Sequence, residues 1–151
     1  MATTLPDAIL QRLRASSVAG LVGDTFDPDT GLGTVRIGFD YLGNGALPYV
    51  VIQEPGESRT YFTGGGFGGS TFIADGTLAV EGYSASRDGA RTLAKAIAEA
   101  LNDADLTWTD GRMMNLRAMS TAFTPIADVG TGSPTAFASV LTLAFTYQGD
   151  V

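Results

Sequence analysis

Twelve consecutive residues near the C-terminus alternate without a break, and nothing else in the chain restricts its fold as much. Phe137, Ser139, Leu141, Leu143, Phe145 and Tyr147 fall on one side, with Ala138, Val140, Thr142, Ala144, Thr146 and Gln148 on the other. A period of two is a strand with one face ready for a core. The uncharged stretch around it, residues 129–149, is long enough to cross a bilayer as a helix. Gly130, Gly132, Ser133 and Pro134 break its front half, and the alternation of its back half excludes an apolar helix. The chain must therefore supply neighbouring strands for this one, and a helical layer to cover it.

Both are legible upstream. Thr4 with Asp7 three residues on resembles a capping box, and Pro6 sits where a missing amide costs nothing. Leu5, Ile9 and Leu13 make the stripe of a helix over residues 5–18, stopped by Gly20 and Gly23. A second helix runs over residues 86–101 from Ser86 or Asp88, burying Ala90, Leu93, Ala94, Ile97, Ala98 and Leu101. Strands are expected over residues 35–41 (half-buried), 47–54 (apolar throughout, so buried on both faces), 72–85, 113–124 and 136–148. The glycine-rich residues 55–71 read as a loop. Trp108, in a short apolar piece at residues 106–109, reads as a core plug. The expected fold class is α+β: a single domain over residues 1–151, with a mixed, mostly antiparallel sheet packed by two helices in the order α-β-β-β-α-β-β.

Composition narrows the chemistry. The 151 residues contain no cysteine and no histidine, which excludes disulfides, thiolate nucleophiles, Cys/His zinc sites and a Ser-His-Asp triad. Nine basic against sixteen acidic residues leave a net charge of −7, the reverse of a chain that grips nucleic acid through its phosphates. No basic segment followed by an apolar one opens the chain, so a cytoplasmic product is expected.

The remaining motifs are poor in chemistry. The run GGGFGG at residues 64–69 lacks the lysine of a phosphate-binding loop and precedes a strand instead of a helix. Asp24, Asp27 and Asp29 lack the spacing of a calcium loop and fit a turn whose carboxylates bond the backbone. Asp75 and Glu81 are the acids that a small carboxylate enzyme would use, although nothing in the sequence encloses them. Arg59, Arg112 and Arg117 are available to acids of a neighbouring subunit. Catalytic, metal and cofactor residues are expected to be absent. Tyr61, Phe62 and Phe67, with Ile126 and Val129, are apolar residues on two segments that read as loops. They are the candidate contact residues, expected to lose exposure on assembly.

As a whole the chain resembles the tail terminator (tail completion) family of long-tailed bacteriophages and phage-like particles. The resemblance rests on LPYVVIQE at residues 47–54, SRDGARTLAKAIAEAL at residues 86–101 and LTLAFTYQ at residues 141–148. It covers nearly the whole chain and carries no catalytic signature. It implies a structural virion protein, not an enzyme. Six identical subunits would form a ring on the head-proximal end of the tail tube, at the tail–neck junction, assembled in the host cytoplasm. The ring would stop tube polymerisation and present a surface to the neck. Its partners would be itself, the tail tube protein and a neck or head-completion protein, with DNA only as passing cargo and no membrane. The alternatives are another neck or head–tail joining subunit and a non-viral monomeric binding module.

Overall fold

The computed structural model describes residues 2–41, 47–62, 71–127 and 134–150. Helix α1 (Leu5–Arg14) starts as the sequence predicts: Thr4 Oγ1 accepts the Asp7 amide at 3.3 Å, and Pro6 stands in the first turn. The reciprocal half of the box is replaced, because Asp7 accepts the Thr3 hydroxyl at 2.6 Å. The single helix expected to residue 18 is two helices. Ser16 takes an extended backbone, and its hydroxyl oxygen accepts the Val18 amide at 3.2 Å, which starts α2 (Ser17–Val22). A serine hydroxyl inside a helical stripe competes with the ladder and here it wins, adding a third helix to the two expected. Gly23, with φ at 73°, closes α2. Helix α3 (Arg87–Leu101) is capped by Ser86, which accepts the Gly89 amide at 3.0 Å.

The strands are β1 (Ile37–Gly38), β2 (Tyr49–Ile52), β3 (Gly56–Phe62), β4 (Thr71–Ser84), β5 (Thr107–Trp108), β6 (Gly111–Ala127) and β7 (Pro134–Asp150). They form one sheet in the order β1-β2-β4-β7-β6-β5, and β3 also lies on β4, beside β2. Among the described residues only the β1–β2 junction is parallel. The class is α+β with a mixed, mostly antiparallel sheet, as expected. Several strands differ from the sequence reading. Residues 56–62, read as loop, are strand β3. The strand expected over residues 35–41 shrinks to two residues because the Asp24 carboxylate takes the amides of Arg36 and Ile37, each at 2.8 Å. Strands β6 and β7 run further than expected, to 17 residues each.

All three helices lie on one face of the sheet. Phe72, Ala74, Leu78 and Val80 of β4 and Leu141, Leu143, Phe145 and Tyr147 of β7 share a core with Ile9, Leu13, Val18, Leu93, Ile97 and Leu101. This is the predicted face of the last strand. The opposite face carries half-buried small residues such as Ala79, Val140, Thr142 and Ala144, with a buried patch of Tyr49, Val51, Tyr83 and Ala138 at one end.

Strand β4 runs without interruption through Gly76 and Gly82. Gly82 lets α3 approach: a Cβ there would lie 3.2 Å from Leu93 Cβ and 2.9 Å from Ser139 Oγ. Gly82→Val is therefore expected to cost about 1–3 kcal/mol through overpacking, read as a lower denaturant midpoint with an unchanged slope.

Candidate assembly interface

Among the described residues, six of the eleven exposed large apolar side chains stand on β3 and β6; the other five, Leu21, Leu32, Val35, Phe39 and Tyr41, lie on α2 or in the segment between α2 and β2. Tyr61 and Phe62 are 53% and 55% exposed; they stand on β3, not in a loop. Ile126 is 37% exposed and lies on β6, again a strand where a loop was expected. Phe67 and Val129 lie outside the described residues. The sequence reading missed Met114, Met119 and Phe123, which are exposed on β6 at 59%, 66% and 47%. The pairing of β6 with β7 slips between Met113 and Asn115 and again between Ala118 and Ser120, so each bulge leaves one methionine out of register. The adjacent apolar pair Met113–Met114, which breaks a period of two, was the available signal.

These residues share an unusual setting. All seven residues of β3 are exposed, as are residues 119–126 of β6. A strand exposed on both faces adds little to its own subunit's core, and its outer edge offers backbone donors and acceptors. The near part of β6 is closed: the Met113 amide donates to Leu106 and the Leu116 carbonyl accepts the Asp103 amide, both at 2.8 Å. Asn102 Oδ1 accepts the Ala118 amide at 3.0 Å. Among the described residues, no strand pairs with the outer edge of β6 over residues 119–125, nor with that of β3.

The candidate catalytic acids stay apart. Asp75 and Glu81 are on the same face of β4, but six residues separate them by about 20 Å, beyond the reach of a paired-carboxylate mechanism. Asp75 accepts the Thr146 hydroxyl at 2.6 Å, and Glu81 accepts the hydroxyls of Tyr41 at 2.8 Å and Tyr83 at 3.0 Å. Arg59 pairs within its own strand with Glu57 at 3.0 Å and lies over the Phe72 ring. Arg117 reaches Asp103 at 3.9 Å, with both side chains exposed. The aspartate turn behaves as read, with Asp24 accepting the Phe26 amide and Asp27 the Asp29 amide. Trp108 is buried edge-on against Tyr147. Among the described residues no cluster of three acids is placed to hold a metal ion, and no helix is long and apolar enough to cross a membrane.

Tyr147 anchors β3 to the core side of the sheet by donating its hydroxyl to Glu57. Burial, then the Glu57 contact, pushes its pKa up to about 12 from 10.0. A raised folded-state pKa contributes stability that is complete below pH 10 and is lost as pH climbs towards 12. Tyr147→Phe should therefore remove a late step from the tyrosinate absorbance titration and weaken the dependence of stability on pH in that window. An unchanged titration would contradict the assignment.

Comparison with known proteins gives the arrangement a family. No curated protein sequence matches the chain. A chain in the virion of a native gene transfer agent (GTA) particle has the same fold, with a TM-score of 0.64 and 22% identity over 96% of this chain and 95% of that one. The family model described as tail completion protein gp17 matches residues 7–132. The chain thus belongs to the tail completion protein gp17 family.

Proposed function

We propose that this protein is a structural, non-enzymatic component of the tail of a phage or phage-like particle, which closes the head-proximal end of the tail tube as a ring. The ring, of six copies, stops tube polymerisation and presents its other surface to the neck. The observation that carries this reading is the pair of strands exposed on both faces, β3 and the far half of β6, on opposite sides of one sheet. A subunit with two such flanks is suited to head-to-tail contacts, and a head-to-tail contact whose rotation closes makes a ring. Family membership supplies the tail context.

Termination then needs no chemistry. The ring occupies the growing end and offers no equivalent docking face to the next tube subunit. Tyr61, Phe62, Phe67, Ile126 and Val129 lose exposure as the subunits assemble. The charge of −7 per copy favours a lumen that repels passing DNA over one that holds it. Electron cryomicroscopy of purified particles tests the location. The expected result is one ring of this chain between tube and neck. Copies along the whole tube, or none in the particle, would overturn the reading.

A further inference from the structure

We infer that neighbouring copies join by strand pairing, the outer edge of β3 in one subunit adding to the outer edge of β6, over residues 119–125, in the next. The inference rests on the ring reading above and supplies its contact. Three observations favour a second copy of this chain as the occupant of both edges.

Direction is the first. The path from one free edge to the other is β3-β4-β7-β6, and each of its junctions is antiparallel. Four strands of alternating direction leave β3 and β6 running oppositely. A rotation about an axis to which the strands are tilted, as in a closed barrel, therefore brings β6 against the next copy's β3 antiparallel, like the sheet's other long junctions. One contact repeated around the ring covers both edges of every copy. A two-fold pairing of β6 with β6 would cover one edge and leave β3 open.

Position is the second. On β6 the described residues of the protein itself close the edge as far as Ala118, and no described strand pairs with the edge over residues 119–125. The part left over, residues 119–125, matches the seven residues of β3 in length. The two segments are offset along the strands, since β3 lies beside residues 71–77 of β4 while residues 120–125 of β6 lie across β7 from residues 79–84 of β4. Closing a sheet into a ring needs such a stagger between its edges.

Side chains are the third. Cross-strand partners share a face, so Phe62, which pairs with Thr71, lies on the helix-free face, and Tyr61, which pairs with the core residue Phe72, lies on the helical one. On β6, Phe123 stands on the helical side and Ala122 on the other. Each edge thus brings apolar surface to both faces of the junction, and the exposed methionine at the Met119 bulge adds an adaptable contact.

The absence of native cysteine makes the contact directly readable. Ser58→Cys or Thr60→Cys on β3 is combined in one chain with Ser120→Cys, Ala122→Cys or Thr124→Cys on β6, all on the helix-free face and all exposed. Particles carrying each pair are oxidised, run on a non-reducing gel and imaged. At least one pair is expected to give a covalent ladder extending past the dimer, with none from the single substitutions. If rings are visible and no pair cross-links, strand pairing is wrong and the ring reading stands. Dimers from a β6 single substitution alone would mean two-fold pairing and overturn the inference. A ladder in particles without a ring keeps the edge contact and removes the ring.

Discussion

Asp24→Ala is expected to lower the unfolding free energy by about 3–5 kcal/mol, the scale for breaking a buried charge pair that also holds backbone. The Asp24 side chain is 2% exposed and lies 3.4 Å from Arg14 Nε. Its carboxylate accepts three amides, from Phe26 at 3.3 Å and from Arg36 and Ile37 at 2.8 Å each. Alanine would orphan those amides and leave the largely buried Arg14 guanidinium with its bond to the Ile37 carbonyl and its contact with the Phe26 ring. For a chain of this length the loss corresponds to a fall in Tm of roughly 10 °C. Removing Arg14 as well should cost less than the sum of the two single changes, because the second deletion relieves an unpaired charge. Asp29→Ala, in the exposed part of the same turn, should stay within about 0.5 kcal/mol of the parent. Equal effects at Asp24 and Asp29 would contradict the structural role given to Asp24.

The second large effect is on assembly and leaves the subunit intact. Phe62→Asp and Ile126→Asp put a carboxylate on each of the two flanking strands. At exposed positions the free subunit should keep its Tm to within a degree or two. In the assembled ring each carboxylate would be desolvated among apolar side chains, so incorporation into particles should fall by on the order of tenfold or more. Quantitative immunoblotting of purified particles, beside thermal melts of the isolated chain, separates the two readouts. Normal incorporation of both variants would show that neither residue is buried by a neighbour.

How much of this was legible beforehand depends on where each residue's partners lie. The last strand was readable because Leu141, Leu143, Phe145 and Tyr147 lie in the core and the period of two holds over residues 139–148, while at its start Phe137 is half-buried and Ala136 and Ala138 of the other face are buried. Helix α3 was readable for the same reason, with its cap four residues ahead of its stripe. Strand β3 was not, because none of its seven residues is buried. GESRTYF carries no alternation, and its strand character comes from the edge of β4. Asp24 was read as a turn residue, which it is, but its main partners lie 12 and 13 residues downstream, and no local pattern announces them. At the candidate interface Tyr61, Phe62 and Ile126 were legible as apolar residues, but two flanking strands carry them in place of loops. The methionines left out of register by the bulges of β6 fall outside any strict period.

The most direct test of the account is the length of the tails made without this protein. The gene is deleted from its source genome and the particles are measured by electron microscopy. Overlong or irregular tail tubes, restored to a single length when the chain is supplied again, are the expected result. Tails of normal length beside DNA-filled, tailless heads would place the protein in the neck and contradict termination. Intact infectious particles would remove it from assembly altogether.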